Sequence, residues 1–305
     1  MEDRIMADWK ARNQAKKAVV WEYWQRMNHA QAKDVPGIVK KAFHKDVDWN
    51  GPQPINQIRG SDALVREFWE PLQRSFPDIK READILMGGI DTDEDWVSGT
   101  GYLTGTFVHD WLGIPATGKK THIHFGQFFV MRDGKIAESY CILDILSVFK
   151  QAGFQVLPNA LGREGGKVQK PRGGDGILLM EQDEVEGRKT RQLVLEMWMG
   201  LMRYVRERDM ENMNTMEQQH YWDPDFHWMG PTGIGSTHSI AEFQDFHQRP
   251  WLIGFGDRGL DVDQSGRYMG LIGEGQYACG GIWDQKFSIH HGQYQDVPAT
   301  GKMMT

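Results

Sequence analysis

The sequence predicts an α+β protein in which one domain occurs twice in tandem. The five residues Pro115–Lys119 return unchanged as Pro298–Lys302. Two further islands recur in the same order: Asp46–Pro52 is echoed by Asp225–Pro231, and Pro71–Asp78 is echoed by Pro250–Asp257. The copies are about 180 residues apart, which is the size of whole domains and too long for a solenoid repeat. Within each copy, helical periodicity comes first and strand periodicity follows.

Length and composition agree with two soluble domains. The chain has 305 residues, of which 40% are hydrophobic and 25% are charged. Its net charge of −7 argues against nucleic acid as a partner, because binding to phosphates needs a basic surface. No apolar stretch is long enough to cross a membrane, and the N-terminus lacks the apolar run of a signal peptide. The two cysteines, Cys141 and Cys279, fit a reduced chain, so we expect a cytoplasmic protein.

The first half of each copy reads as helices around a short strand. In the first copy we expect a helix over 14–33, a second short helix over Ile38–Phe43, a strand over Asp46–Trp49 and a third helix over Ala63–Phe76. Ser61 or Asp62 can cap the third helix, because their side-chain oxygens accept from free backbone N–H groups.

The second half reads as a meander of antiparallel strands. The expected strands are Ile79–Met87, Trp96–Phe107, His122–Met131 and Ile136–Leu143. Asp133-Gly134 is a strong hairpin signal between the last two strands. Glycines inside the second strand suggest a bend or a bulge. We therefore expect a curved antiparallel sheet wrapped over helices.

These patterns divide the chain into a first domain over 14–155, a glycine-rich linker over 156–189 and a second domain over 190–305. In the first domain two predicted strands follow the repeated motif, whereas only Met303–Thr305 follow it in the second. The second domain is therefore expected to be C-terminally truncated and to lack its final hairpin. An unpaired strand edge favours association, so a homo-oligomer is one expected partner.

Several motifs of the first copy occur together in a known family. They are Tyr23-Trp24, the strand ending at Gly51-Pro52, the helix ending at Phe76-Pro77-Asp78, and the stretches Trp111–Lys119 and Arg132–Glu138. This set resembles the SnoaL-like polyketide cyclases of the nuclear-transport-factor-2-like (NTF2-like) superfamily. The resemblance covers nearly all of 14–155 and covers 190–305 more weakly. One departure is Ala116, which stands where the family pattern has a second proline.

The resemblance implies two tandem cone-shaped domains, each enclosing an apolar pocket for a small apolar substrate or ligand. It implies no metal and no organic cofactor. The His and Asp that such cyclases use for proton transfer correspond here to Gln127 and Cys141, so the usual acid/base pair is missing from the first copy. The expected substrate-pocket residues are Trp24, Trp49, Phe125, Gln127 and Cys141.

A different acid/base set can be read from the residues themselves. His122 and His124 alternate along one strand and therefore share a face, and Asp144 ends the next strand. With a three-residue loop, His122 would lie opposite Asp144, which would fix an imidazole tautomer and raise the His pKa. With a two- or four-residue loop the two fall on opposite faces. The alternative is a cross-strand polar pair on the outer face or at a dimer contact.

Asp48 is a further candidate base, because a carboxyl beside Trp49 at a cavity would have a raised pKa. The alternative is a solvated strand residue that alternates with a buried Trp. His122 and His124 have the spacing of two metal ligands, but no third ligand is apparent, so no metal site is predicted.

Two functions remain open at this level. One is an enzyme of the cyclase, isomerase or lyase type, acting by general acid/base chemistry on an apolar carbonyl-bearing small molecule. The other is a non-catalytic ligand-binding or assembly module. A pocket that holds a His or a carboxylate with a strongly shifted pKa would favour the enzyme. A pocket filled by its own Trp and Phe side chains would favour the module.

Overall fold

The computed structural model describes residues 2–168, 170–207, 217–254, 262–263, 266–283, 286–288, 293–294, 297–298 and 303–304. The chain divides into two compact units. The first consists of Met1–Phe154, Gln169–Thr190 and Ile272–Cys279; the second consists of Gln155–Val168, Arg191–Leu271 and Gly280–Thr305. The segment predicted as a linker is thus shared between the units. Residues 299–302 of the second repeated motif lie outside the described residues.

Nine α-helices are assigned within the described residues. They are α1 Glu2–Met27, α2 Val35–Ala42, α3 Ser61–Leu64, α4 Glu70–Ser75, α5 Ile145–Gln151, α6 Glu184–Glu207, α7 Gln218–Tyr221, α8 Ile240–Phe243 and α9 Arg249–Gly254. A 3₁₀ turn over Ala32–Asp34 leads into α2, and two π-helical turns lie at Val65–Trp69 and Gln244–Gln248. In these parts of the chain no helix is both long enough and apolar enough to cross a membrane.

Six strands form the main sheet. They are β1 Phe43–Asn50, β2 Gln57–Arg59, β3 Lys80–Asp91, β4 Glu94–Thr106, β5 Lys120–Arg132 and β6 Lys135–Leu143, in the order β2-β1-β6-β5-β4-β3. The β1–β6 pair is parallel and the other pairs are antiparallel. The predicted α+β layout, helices followed by a meander, is confirmed here. The sequence reading missed β2, α5 and the parallel pair.

Shorter strands follow in the remainder of the chain. They are β7 Val262–Asp263, β8 Arg267–Glu274, β9 Tyr277–Trp283, β10 Lys286–Ser288, β11 Gln293–Tyr294, β12 Val297–Pro298 and β13 Met303–Met304. They pair as β13-β10-β7, as β11-β12 and as β8-β9.

Helix α1 packs its apolar face into the first unit and ends at Met27 rather than at residue 33. Val20, Tyr23 and Trp24 are each at most 3% exposed. Just beyond the helix, the Asn28 side chain forms hydrogen bonds with both the backbone N–H and the backbone carbonyl of Arg81. Asn28 Oδ1 accepts from the Arg81 N–H at 2.5 Å, and Asn28 Nδ2 donates to the Arg81 carbonyl at 2.9 Å. These two hydrogen bonds connect the end of α1 to the start of β3.

The third predicted helix is one continuous helical segment with a π-helical turn in its middle. Pro71 lies in the first turn of α4, directly after that turn. Proline has no N–H to donate to the carbonyl four residues earlier, and the wider π turn accommodates the missing bond. The second unit has the same order of α, π and α segments, with Pro250 in the first turn of α9.

The hairpin between β5 and β6 turns at the predicted Asp133-Gly134, and the turn has two residues. Asp133 and Gly134 both have positive φ, 47° and 72°, as a type I′ turn requires. A bulge between Val130 and Met131 then shifts the register of β6. A second bulge lies in β3, between Ala83 and Ile85. Such bulges bend strands and account for the curvature of the sheet.

Strand β3 lies at the edge of the sheet, and two segments outside the meander cover it. The Leu86 N–H donates to the Gly176 carbonyl at 2.8 Å, and the Leu178 N–H donates to the Leu86 carbonyl at 2.9 Å. Farther along, the Gly88 N–H donates to Glu274 Oε2 at 2.7 Å. Backbone groups that an edge strand would otherwise expose are thereby paired within the first unit.

The first copy of the repeated five-residue motif closes the connection between β4 and β5. The Gly118 N–H donates to the Phe107 carbonyl at 2.8 Å, and the Phe107 N–H donates to the Lys119 carbonyl at 3.0 Å. The ring of Phe107 stacks on Phe76 with centroids 4.7 Å apart. The motif therefore has a structural role, joining this loop to the end of the preceding helix.

Candidate functional site

The predicted site residues on β5 lie on two different faces of the sheet. Phe125 and Gln127 are buried, at 1% and 3% exposed, whereas His122 and His124 alternate with them and are partly exposed. Successive side chains of a strand point to opposite faces. The predicted pocket residues and the predicted histidines therefore do not line one pocket. We call these two sides the inner face and the outer face.

On the outer face, the two histidines surround Tyr102 of β4. The Tyr102 ring stacks on His124 with centroids 4.9 Å apart and meets His122 edge-on at 5.7 Å. The hydroxyl of Thr100 lies 3.2 Å from His124 Nε2 and also donates to the Phe125 carbonyl at 2.6 Å. Because this hydroxyl has one proton to donate, His124 Nε2 acts as the donor, which assigns the Nε2–H tautomer.

Asp144 lies opposite His124 and not opposite His122. The Asp144 N–H donates to the His124 carbonyl at 3.0 Å, following the two-residue turn and the bulge. Asp144 Oδ1 accepts from the Ser147 N–H at 3.0 Å and so caps α5. The backbone of His122 bonds Gln151 instead, at 3.1 and 2.8 Å. The expected pairing of His122 with Asp144 through a three-residue loop is thus replaced by a His124–Asp144 register.

Burial lowers the pKa of His124, and the nearby carboxylates of Asp144 and Asp84 oppose this shift only in part. A lowered folded-state pKa means that the unfolded chain binds the proton more readily. The stability that neutral His124 contributes is present above the unfolded pKa of about 6.5 and is lost as the pH falls through the folded value.

We therefore expect the free energy of unfolding to fall between pH 7 and pH 5, and His124→Gln to weaken this dependence. Urea unfolding of both proteins at several pH values measures the difference. An unchanged pH slope in His124→Gln would show that His124 is not the group responsible.

Asp48 lies on β1, beside β2, and its side chain points away from the core. Gln57 Nε2 donates to both of its carboxylate oxygens, at 2.7 and 3.0 Å. Its chain neighbour Trp49 is buried on the inner side and packs on Phe68 with centroids 4.7 Å apart. Asp48 is thus separated from the inner face by the alternation of its own strand.

The inner face brings together the predicted pocket residues Trp24, Phe125, Gln127 and Cys141. Gln127 lies directly opposite Cys141 on β6, and Trp24 meets Phe125 edge-on with centroids 5.7 Å apart. Gly99 on β4 makes room for the indole, since a Cβ there would lie 2.5 Å from Trp24 Cη2. An aromatic wall therefore surrounds a small polar centre.

That polar centre contains Arg81, which the sequence reading did not select. Its guanidinium carbon lies 4.2 Å from the ring centroid of Phe125 and 4.7 Å from that of Trp24. Arg81 Nη1 donates to Gln127 Oε1 at 3.0 Å. Arg81 is 8% exposed, and burial lowers its pKa. Guanidinium stays charged in proteins, so the inner face contains a fixed positive charge among aromatic rings.

Two further titratable groups of the inner face are held in their protonated forms. Burial raises the pKa of the Cys141 thiol to about 12, although Arg81 opposes the shift. Burial also raises the pKa of the Tyr23 hydroxyl, again against the influence of Arg81. At neutral pH these groups can donate protons but cannot act as bases or thiolate nucleophiles.

Metal ligation has no candidate in the described residues, where no group of three or more His, Cys, Asp or Glu side chains could hold an ion. The inner-face donors fit an oxygen-bearing small molecule better than a cation, because the charge there is positive.

No curated protein matches the chain. Among solved structures, AclR from Streptomyces galilaeus, described as a candidate hydroxylase, is 22% identical; the match covers 45% of this chain and 95% of AclR, with a TM-score of 0.38. IdmH from Streptomyces antibioticus, described as a candidate polyketide cyclase, is 18% identical over 46% of this chain and 99% of IdmH, with a TM-score of 0.38. At these identities and TM-scores the likenesses say nothing about the reaction.

A family model describes the part of the chain that contains the inner face. The model of the SnoaL-like polyketide cyclases matches residues 22–152, a stretch that includes α2 to α4, β1 to β6 and the whole aromatic wall around Arg81. Helices followed by a curved sheet are the arrangement that the resemblance implied for this stretch. Residues 22–152 are a SnoaL-like polyketide cyclase domain with a mixed α+β fold.

Proposed function

We propose that the inner face of this domain is a small-molecule site of the cyclase or isomerase type for an apolar, carbonyl-bearing substrate. The observation that carries the proposal is the buried guanidinium of Arg81, held between aromatic rings and bonded to Gln127. A positive charge in water-excluded surroundings stabilises the negative oxygen that develops when a carbonyl compound loses a neighbouring proton.

The chemistry follows from the protonation states. Arg81 and the Gln127 amide would hold the carbonyl oxygen and lower the pKa of the adjacent C–H bond. Tyr23, which burial keeps protonated, would pass a proton to the carbon and regain one from solvent, so that it ends the cycle as the neutral phenol. The base that removes the substrate proton would be a solvent species that enters the inner face together with the substrate, ahead of the exclusion of bulk water. His122, His124, Asp144 and Asp48 remain candidate acid/base groups only for a substrate bound outside the inner face.

Deuterium exchange tests this proposal without knowledge of the natural substrate. The protein is incubated in D₂O with a panel of apolar aryl ketones, and mass spectrometry follows incorporation of deuterium next to the carbonyl. We expect faster exchange than in buffer for ketones that quench tryptophan fluorescence. In Arg81→Met the acceleration should fall by about a hundredfold or more, as when an oxyanion donor is removed. Arg66→Met, at an exposed arginine, is the control.

A second candidate function is a binding module without chemistry, and the protonated states of Cys141 and Tyr23 favour it. The same experiment separates the two functions. Ketones that bind without accelerated exchange indicate the module, and ketones that neither bind nor exchange contradict a small-molecule site on the inner face.

We also propose that residues 190–305 carry a second copy of the domain. Matching backbone bonds support this. In the first unit, the Ile55 and Asn56 N–H groups donate to the Pro52 carbonyl; in the second unit, the Ile234 and Gly235 N–H groups donate to the Pro231 carbonyl. Trp228 bridges to Thr237 where Trp49 bridges to Ile58.

A further inference from the structure

Arg81 differs from the other buried cations of the first unit in its surroundings. Lys17 forms an ion pair with Glu274, and Lys16 forms one with Asp95 at 3.1 Å. In the described parts of the chain, no carboxylate forms an ion pair with Arg81, whose hydrogen-bond acceptor there is the neutral Gln127. A buried charge without a counterion is costly, and proteins ordinarily pair it or bind an ion to it.

The surrounding rings compensate only part of that charge. The guanidinium lies over Trp24 and Phe125, and aromatic faces attract cations without neutralising them. The planar guanidinium has five N–H donors, and the bond to Gln127 uses one of its terminal nitrogens. The remaining donors can meet a further acceptor.

The indole of Trp24, on the same face, is a second buried donor that needs an acceptor. The indole Nε1 of Trp24 is buried and has no hydrogen-bond partner within the described residues. Indole and guanidinium groups donate hydrogen bonds and accept none. A ligand that satisfies them must therefore supply acceptor oxygens, and the charge of Arg81 favours a negative one. Carboxylate matches the planar, forked geometry of guanidinium.

We propose that the ligand of the inner face is an apolar ring system that carries a carboxylate, with Arg81 as the residue that anchors the carboxylate. This inference rests on the proposed function, because it assumes that the ligand occupies the inner face. It adds the chemical class: the carbonyl-bearing compound is aromatic or polycyclic and also carries a carboxylate, which the remaining donors of Arg81 would hold. Trp24 and Phe125 would contact the ring system, and Gln127 would keep the guanidinium oriented.

A matched pair of ligands tests the charge requirement. The probes are 2-naphthoic acid and 2-naphthamide, which share one ring system and differ in charge, titrated at pH 7 by calorimetry. We expect the wild-type protein to bind the acid at least tenfold more tightly than the amide. In Arg81→Met this preference should disappear, so that acid and amide bind equally. Arg66→Met should retain the wild-type preference.

A second variant keeps the test informative if Arg81→Met does not fold. Gln127→Glu is nearly isosteric and places a carboxylate on the existing partner of Arg81. We expect this internal anion to raise the melting temperature and to weaken binding of the acid at least tenfold more than binding of the amide. An unchanged melting temperature together with unchanged acid binding would overturn the inference.

The outcomes separate this inference from the proposed function. Equal binding of acid and amide, both lost in Arg81→Met, overturns the carboxylate requirement and leaves the small-molecule site intact. Absence of binding by either probe overturns the carboxylate inference, while ketones that still show Arg81-dependent exchange support the proposed function. A preference for the acid that survives in Arg81→Met overturns the inference, because another group then recognises the carboxylate.

Discussion

Replacing Glu274 by alanine should lower the free energy of unfolding of the first unit by about 3–5 kcal/mol, because it leaves a buried lysine without its partner. The Lys17 side chain is 0% exposed and that of Glu274 is 3% exposed. Lys17 Nζ donates to Glu274 and to the Leu178 carbonyl, and Asn13 Nδ2 donates to Glu274 at 2.9 Å. One carboxylate at the end of β8 therefore joins that strand to α1 and β3.

The pair itself is not expected to be a large source of stability. Burial raises the pKa of Glu274 and lowers that of Lys17, so desolvation outweighs their mutual attraction in both cases. The double variant Lys17→Met/Glu274→Gln should consequently be less destabilised than Glu274→Ala, since it removes both charges and keeps an acceptor for the Gly88 N–H.

Hydrogen exchange of the Gly88 amide provides the local measurement, because this amide donates directly to Glu274. Exchange should accelerate in Glu274→Ala and much less in the double variant. The control is Glu181→Ala, which removes an exposed ion pair with Lys10 and should cost at most about 1 kcal/mol. If Glu274→Ala and Glu181→Ala cost the same, the buried carboxylate does not tie these elements together.

Local patterns predicted most of the first unit correctly. The Asp133-Gly134 turn is correct because both residues tolerate positive φ, a property that depends on the dipeptide alone. The four meander strands were also found from local sequence, and β5 shows most clearly the period of two that burial on one face imposes. The register between His124 and Asp144 was missed because it also depends on the bulge at Val130 and Met131. The residue types in that stretch do not indicate a bulge.

The burial of Arg81 could have been predicted from its place in the sequence. In the predicted strand Ile79–Met87, the alternation Ile79, Arg81, Ala83 places a charge in an apolar phase. A charged residue in such a position points to the core, and buried charges are rare enough to mark candidate sites. The hydrogen bonds of β3 with Gly176 and Glu274 could not be predicted from local sequence, because they join residues that are far apart in the chain.

The other large effect is expected from one methyl group at Gly99. A Cβ at Gly99 would lie 2.5 Å from the Ile85 carbonyl oxygen and 2.5 Å from Trp24 Cη2. The first of these is backbone of the neighbouring strand, so Gly99→Ala forces β3 and β4 apart or moves the indole. Overpacking of this kind costs about 1–3 kcal/mol and occasionally more.

Gly126 on the adjacent strand β5 is the matched control, because a Cβ there meets nothing within 4 Å. Gly126→Ala should raise the free energy of unfolding by about 0.5–1 kcal/mol, since alanine restricts the unfolded chain more than glycine does. Urea unfolding of the two variants should therefore shift in opposite directions. In Gly99→Ala the displaced indole should also weaken binding of 2-naphthoic acid, whereas Gly126→Ala should bind it as the wild type does. Equal stability of the two variants would show that the contact between Gly99 and Trp24 is loose and does not shape the inner face.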